Sequence, residues 1–74
     1  MKTTSDIIRV DVPQSRWEEF EQLLSERNVA NTLIRVSPLF WHYELLADPG
    51  EVDNVIALLQ AYQRRQIINS YNTH

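Results

Sequence analysis

A chain of 74 residues with a net charge of −3, one Gly and no Cys has room for one domain, and its composition excludes collagen-like, low-complexity and disulfide-stapled classes. Only seven Lys and Arg are present and they are scattered, which disfavours nucleic-acid binding, because neutralising phosphates takes clustered cations. A domain this small buries only about 60% of the surface its unfolded form exposes, so its stability margin is thin.

The segment Met1 to Asp6 leads into an apolar run of just Ile7 and Ile8 before Arg9. Neither a signal peptide nor a spanning helix is read there, and a cytoplasmic setting without a membrane partner is the expectation. A single domain over 1–74 is expected, with an ordered core over about 6–71. Within Asp6 to Val12 the residues alternate with period two from Ile8 onward, which places Ile8, Val10 and Val12 on one face of a first strand. Ser15-Arg16-Trp17-Glu18 then reads as a helix-start signal in which a capping hydroxyl and a Glu three positions on satisfy each other's backbone donors. Trp17, Phe20, Leu23 and Leu24 fall at helical spacing, and the helix is expected to stop near Asn28 in a left-handed conformation.

Thr32–Val36 and Phe40–Ala47 are rich in β-branched or aromatic residues and flank Ser37-Pro38-Leu39, the pattern of a hairpin whose reversal falls at the proline. A second start signal, Asp48-Pro49-Gly50-Glu51, predicts a helix from Pro49 to about Arg65 with Val52, Val55, Ile56, Leu59 and Tyr62 as its apolar stripe. Gln66–Tyr71 reads as a short edge strand, leaving Asn72, Thr73 and His74 as a tail. The order is βαββαβ, an α+β class. Short connections favour a ferredoxin-like plan, a four-stranded antiparallel sheet with both helices on one face. At the level of fold this resembles small ferredoxin-like regulatory modules such as ACT domains. That resemblance implies a dimer with small ligands at the subunit interface. Where the ACT-type first turn carries a Gly, this chain has Pro13-Gln14-Ser15.

Alternation assigns the faces. Ile8, Val10, Val12, Ile34, Val36, Trp41, Tyr43 and Leu45 are expected to point inward. The opposite face is expected to show Ile7, Arg9, Asp11, Leu33, Arg35, His42, Glu44 and Leu46, joined by Ser70 or Tyr71 according to the register of the last strand. It has apolar groups enough to associate and opposite charges enough to pair across strands.

Chemical motifs are sparse. Phe40-Trp41-His42-Tyr43 invites comparison with RNA-stacking sheets, but two of its aromatics belong to the core and the basic-Gly-aromatic signature is missing. His42 and Glu44 share a face and offer two metal donors, with His74 as a distant third; two ligands make no site, and neither metal nor cofactor is assigned. A general acid or base at His42 needs a partner to fix the ring, and no such partner can be read from the sequence. Glu18, Glu19, Glu21 and Glu26 diverge around the helix and read as a solvated face, while Arg64 and Arg65 suit a helix C-terminus. The expectation is a non-enzymatic regulatory or adaptor module that associates with a protein partner through its open sheet, most simply as a homodimer. An accessory or inhibitor protein acting on nucleic acid and a small dimeric enzyme are the alternatives.

Overall fold

A computed structural model describes residues 6–73 of the chain. The elements are β1 (Asp6–Pro13), α1 (Trp17–Glu26), β2 (Ala30–Val36), β3 (Phe40–Ala47), α2 (Val52–Arg64) and β4 (Ser70–Thr73), with a single 3-10 turn at Gln14–Arg16 leading into α1. The four strands form one sheet in the order β2-β3-β1-β4, and each neighbouring pair is antiparallel. Among the described residues no helix is long and apolar enough to cross a membrane.

The core follows from the two periodicities. Ile8, Val10 and Val12 of β1 and Tyr43, Leu45 and Ala47 of β3 are buried on one face of the sheet. Phe20 and Leu24 of α1 and Val55, Leu59 and Tyr62 of α2 complete the same cluster. Both helices therefore lie against one face and leave the other open. Trp17 and Trp41 stack at one margin of this cluster with ring centroids 4.5 Å apart and planes 9° from parallel. Phe20 meets Tyr43 at 5.1 Å in a tilted arrangement, which aromatic quadrupoles favour over a face-to-face sandwich.

The helix starts differ from the expected capping boxes. Ser15 lies inside the 3-10 turn and Arg16 flanks α1, with no side chain capping either element. The second helix begins at Val52 rather than Pro49, again without a side-chain cap. The reason is local: Asp48 to Glu51 closes a turn of its own, in which the Glu51 N–H donates to the Asp48 carbonyl at 2.8 Å. The donor that a capping box would satisfy is thus already taken. At α1 the first turn is served by Glu18 and Glu19 near the positive helix end, and Glu19 pairs with Arg16 at 2.8 Å.

The helix ends are better built than the starts. Asn28 takes φ 56° as anticipated, and Gln66 takes φ 61° after α2. In each case the next residue donates back five positions: Val29 N–H to the Leu24 carbonyl at 3.0 Å, and Ile67 N–H to the Tyr62 carbonyl at 2.9 Å. The residue at positive φ donates to the carbonyl three before it, which completes a Schellman closure. Left-handed backbone costs an L-residue about 1 to 2 kcal/mol, so Gln66→Gly is expected to stabilise the fold by about 0.5 to 1 kcal/mol once the extra freedom of unfolded glycine is offset. A shift of the urea midpoint would register it; an unchanged or lower midpoint would mean that the Gln66 side chain contributes more than its strain costs.

Two strand readings are corrected. The last strand is Ser70–Thr73, not Gln66–Tyr71. Ile67 and Ile68, read as strand residues, are instead 1% and 2% exposed within the core, where the Schellman turn delivers them. The inward assignment of Ile34 also fails, and all seven residues of β2 are exposed. The register of β2 against β3 shifts between Leu33 and Arg35, so that Leu33 opposes Tyr43 and Arg35 opposes His42. One inserted residue, Ile34, breaks the two-residue period. Residues opposed across a ladder share a face, so Leu33 lies on the helix side rather than the open side where alternation had placed it. Val36 opposes Trp41 on the helix side but at 54% exposure is not covered.

Candidate functional site

The open face is ordered in rows by the strand register. Ile7 and Ala30 flank Leu46; Arg9 and Thr32 flank Glu44, with Asn72 beyond Arg9; Asp11 and Arg35 flank His42, with Ser70 beyond Asp11. Seven of the eight expected face residues, Ile7, Arg9, Asp11, Arg35, His42, Glu44 and Leu46, are thereby brought onto one surface, and Leu33 is the exception. Ser70 rather than Tyr71 joins them, because Tyr71 opposes the inward-facing Val10.

Charges on this face are paired within the chain. Arg9 Nε lies 3.3 Å from Glu44 Oε2, a cross-strand pair worth about 0.2 to 1 kcal/mol. In the next row Asp11 Oδ1 is 2.6 Å from His42 Nδ1. A carboxylate only accepts, so Nδ1 carries the proton and the ring is held with Nε2 pointing the other way. There Nε2 meets Ser37 Oγ at 3.2 Å and Arg35 Nη2 at 3.4 Å. Ser70 Oγ donates to the second Asp11 oxygen at 3.4 Å, and Asn69 N–H donates to the Asp11 carbonyl at 2.8 Å. Residues from β1, β2 and the hairpin turn thus meet the imidazole that β3 carries, with Ser70 of β4 behind Asp11. Beside them is a shallow depression of about 340 Å³ whose walls include Ile34, Arg35, His42 and Asp11.

Ser37 is a member that the sequence marked merely as a turn residue. Its backbone N–H donates to the Phe40 carbonyl at 2.8 Å, its hydroxyl reaches the same carbonyl at 3.0 Å, and Phe40 N–H donates to its Oγ at 3.3 Å. The turn that Pro38 favours therefore fixes the position of the hydroxyl. The signal that could have found the cluster is the outward parity of Asp11 and His42 on strands one and three. Only the register shows that those positions are opposite each other.

His42 and Glu44, the two candidate metal donors, are separated by the row structure, one bound to Asp11 and the other to Arg9. Among the described residues no group of three or more His, Cys, Asp or Glu is placed to hold a metal ion; His74 lies outside the described residues. On the helix side, Tyr43 is buried and donates its hydroxyl to Glu21 Oε2 at 2.6 Å. Burial, the hydrogen bond and the nearby carboxylate charge all push its phenol well above the usual tyrosine range.

The apolar groups that remain exposed gather along one side: Leu33 at 40%, Ile34 at 45%, Val36 at 54%, Leu39 at 72% and Leu46 at 45%. They belong to β2, the turn after it and the far end of β3. No family model, curated protein or solved structure matches the chain.

Proposed function

We propose that the β2-β3-β1-β4 sheet with its two helices is a ferredoxin-like domain, and that it works as a small cytoplasmic association module, a homodimer joined along its β2 side. The observation that carries this reading is the exposure of all of β2, an edge strand holding Leu33, Ile34 and Val36. A free edge with apolar side chains is a template for another strand unless something covers it. The centre of the open face serves association less well, because its charges are already satisfied by Arg9–Glu44 and by the row around His42. With both cations of that face engaged, a protein surface is a better partner than a phosphate backbone.

A second copy of the chain fits this edge on charge grounds. The strand has one charged residue, Arg35. Laid antiparallel on itself about an axis at Leu33, it opposes Arg35 to Asn31 and Ala30 to Val36, and no like charges meet. The bulge at Ile34 shortens the regular ladder, so apolar side-chain contact rather than a long run of backbone bonds supports the interface. The expected result is a concentration-dependent dimer in sedimentation velocity. Leu33→Glu, which brings two carboxylates together at the axis, should weaken it by at least about tenfold while leaving the urea midpoint of the monomer nearly unchanged. A wild-type chain that stays monomeric up to millimolar concentration would overturn the homodimer.

A further inference from the structure

We infer that Ser37 is an activated nucleophile, an acyl-accepting site for small activated esters. The inference rests on the cluster around His42 and not on dimerisation. Nucleophilic serines need a base within hydrogen-bond reach and a third group that orients the base. Here Ser37 Oγ is 3.2 Å from His42 Nε2, and His42 Nδ1 is 2.6 Å from Asp11 Oδ1. The connectivity is Ser to Nε2 and Asp to Nδ1, the order in which hydrolytic triads on unrelated folds are recognised by geometry rather than by chain position. Asp11 and His42 are 31 residues apart in the chain and on different strands, so the contact is made by the fold and not by local sequence.

Two features of the surroundings suit the reaction. The Ser37 hydroxyl has one proton and two acceptors in reach, the Phe40 carbonyl at 3.0 Å and His42 Nε2. A rotation about Cβ–Oγ passes the proton from the first to the second without moving the oxygen, which the Phe40 N–H continues to hold. Arg35 Nη2, 3.4 Å from the same Nε2, shares that lone pair with Ser37, so it must turn off Nε2 for the reaction, and it then serves as the cation beside the charge that develops on an ester carbonyl. The depression next to His42 is open to solvent and of a size for a small ester; its walls include Ile34, Arg35 and His42 but not Ser37, so the ester must reach Oγ past the Nε2 edge of the ring.

The step balances without any co-reactant but water. Oγ attacks the ester carbonyl carbon as its proton moves to Nε2. The bond to the leaving alcohol or phenol breaks, and that group departs with the proton. Water, giving its proton to Nε2, then attacks the acyl-Ser37 carbonyl; the acid is released and the proton returns to Oγ. Asp11 acts through His42 and is a positioning residue.

The test uses the full chain at low micromolar concentration, together with Leu33→Glu as a variant whose substitution lies outside the depression, so that burial in a dimer and absence of reactivity are told apart. A fluorophosphonate and p-nitrophenyl acetate are the probes, read by intact mass, peptide mapping and phenol release. The expected result is a single phosphonyl or acetyl adduct on Ser37, absent in Ser37→Ala and formed about a hundredfold or more slowly in His42→Ala and His42→Gln. Asp11→Asn should both slow the labelling and displace its pH profile, which a merely structural aspartate would not do. No adduct on either the wild-type chain or Leu33→Glu, an adduct on another residue, or a Ser37 adduct formed as fast without His42 would each overturn the assignment.

Discussion

Phe20→Ala is expected to remove a large part of the protein's stability at room temperature. The side chain is fully buried at the centre of the α1 stripe and meets the Tyr43 ring at 5.1 Å. Removing a buried Phe costs about 3 to 5 kcal/mol, the sum of lost transfer energy and the cavity left behind. A domain of this length has in total about 4 to 11 kcal/mol. The core has little with which to close the gap, since Phe20 is a hub between α1 and β3, and Leu24 one turn on is committed to the same cluster. Urea denaturation followed by the fluorescence of the stacked Trp17 and Trp41 measures the loss. Leu39→Ser is the matching control: at 72% exposure on the hairpin turn it should change stability by less than about 0.5 kcal/mol. A Phe20→Ala midpoint near that of the control would show that the helix does not depend on this contact.

What the sequence could say about the fold divides along physical lines. Positions whose burial repeats over several turns or pleats were legible: Ile8, Val10 and Val12 on β1, and Val55, Leu59 and Tyr62 on α2, are where the periods of 2 and 3.6 put them. Single-residue events were not. The insertion of Ile34 reverses the parity of the residues before it, so Leu33 and Ile34 exchange faces although nothing in Thr32–Val36 marks a bulge. The expected capping boxes failed for a related reason, because Asp48 can serve a cap or a turn, and the chain closes the turn first. Ile67 and Ile68 are β-branched, yet the left-handed Gln66 sends them into the core before the strand begins.

The cluster on the open face shows the same limit at the level of chemistry. Alternation placed Asp11, Arg35 and His42 on one surface, which was correct, but contact between them depends on register: a slip of one residue between β1 and β3 would separate Asp11 from His42 altogether. Ser37 was hidden for a different reason. Its role as the turn residue before Pro38 fully accounts for its presence, and only the three-dimensional turn shows that the same hydroxyl faces Nε2.

The fold should lose stability in alkali, and Tyr43 should be a principal cause. Its phenol is held protonated first by burial, then by the hydrogen bond to Glu21 and by that carboxylate's charge. Tyr62 is also raised, mainly by burial and against the partial relief that Arg27 and Arg65 provide. Below about pH 10 these tyrosines are protonated in both folded and unfolded chains, and they add no pH dependence. Above it the unfolded chain gives up protons that the folded chain retains, so stability falls as pH rises. Each such group contributes about 1.4 kcal/mol per pH unit until the folded phenol itself ionises. Tyr43→Phe should cost about 1 kcal/mol at neutral pH, from the lost hydrogen bond to Glu21, and should remove its share of the alkaline slope. The two variants' urea midpoints would then converge as pH rises from 9 to 11. Parallel curves for Tyr43→Phe and the wild type across that interval would mean that Tyr43 titrates as freely in the folded chain as in the unfolded one, and that the Glu21 contact does not hold its proton.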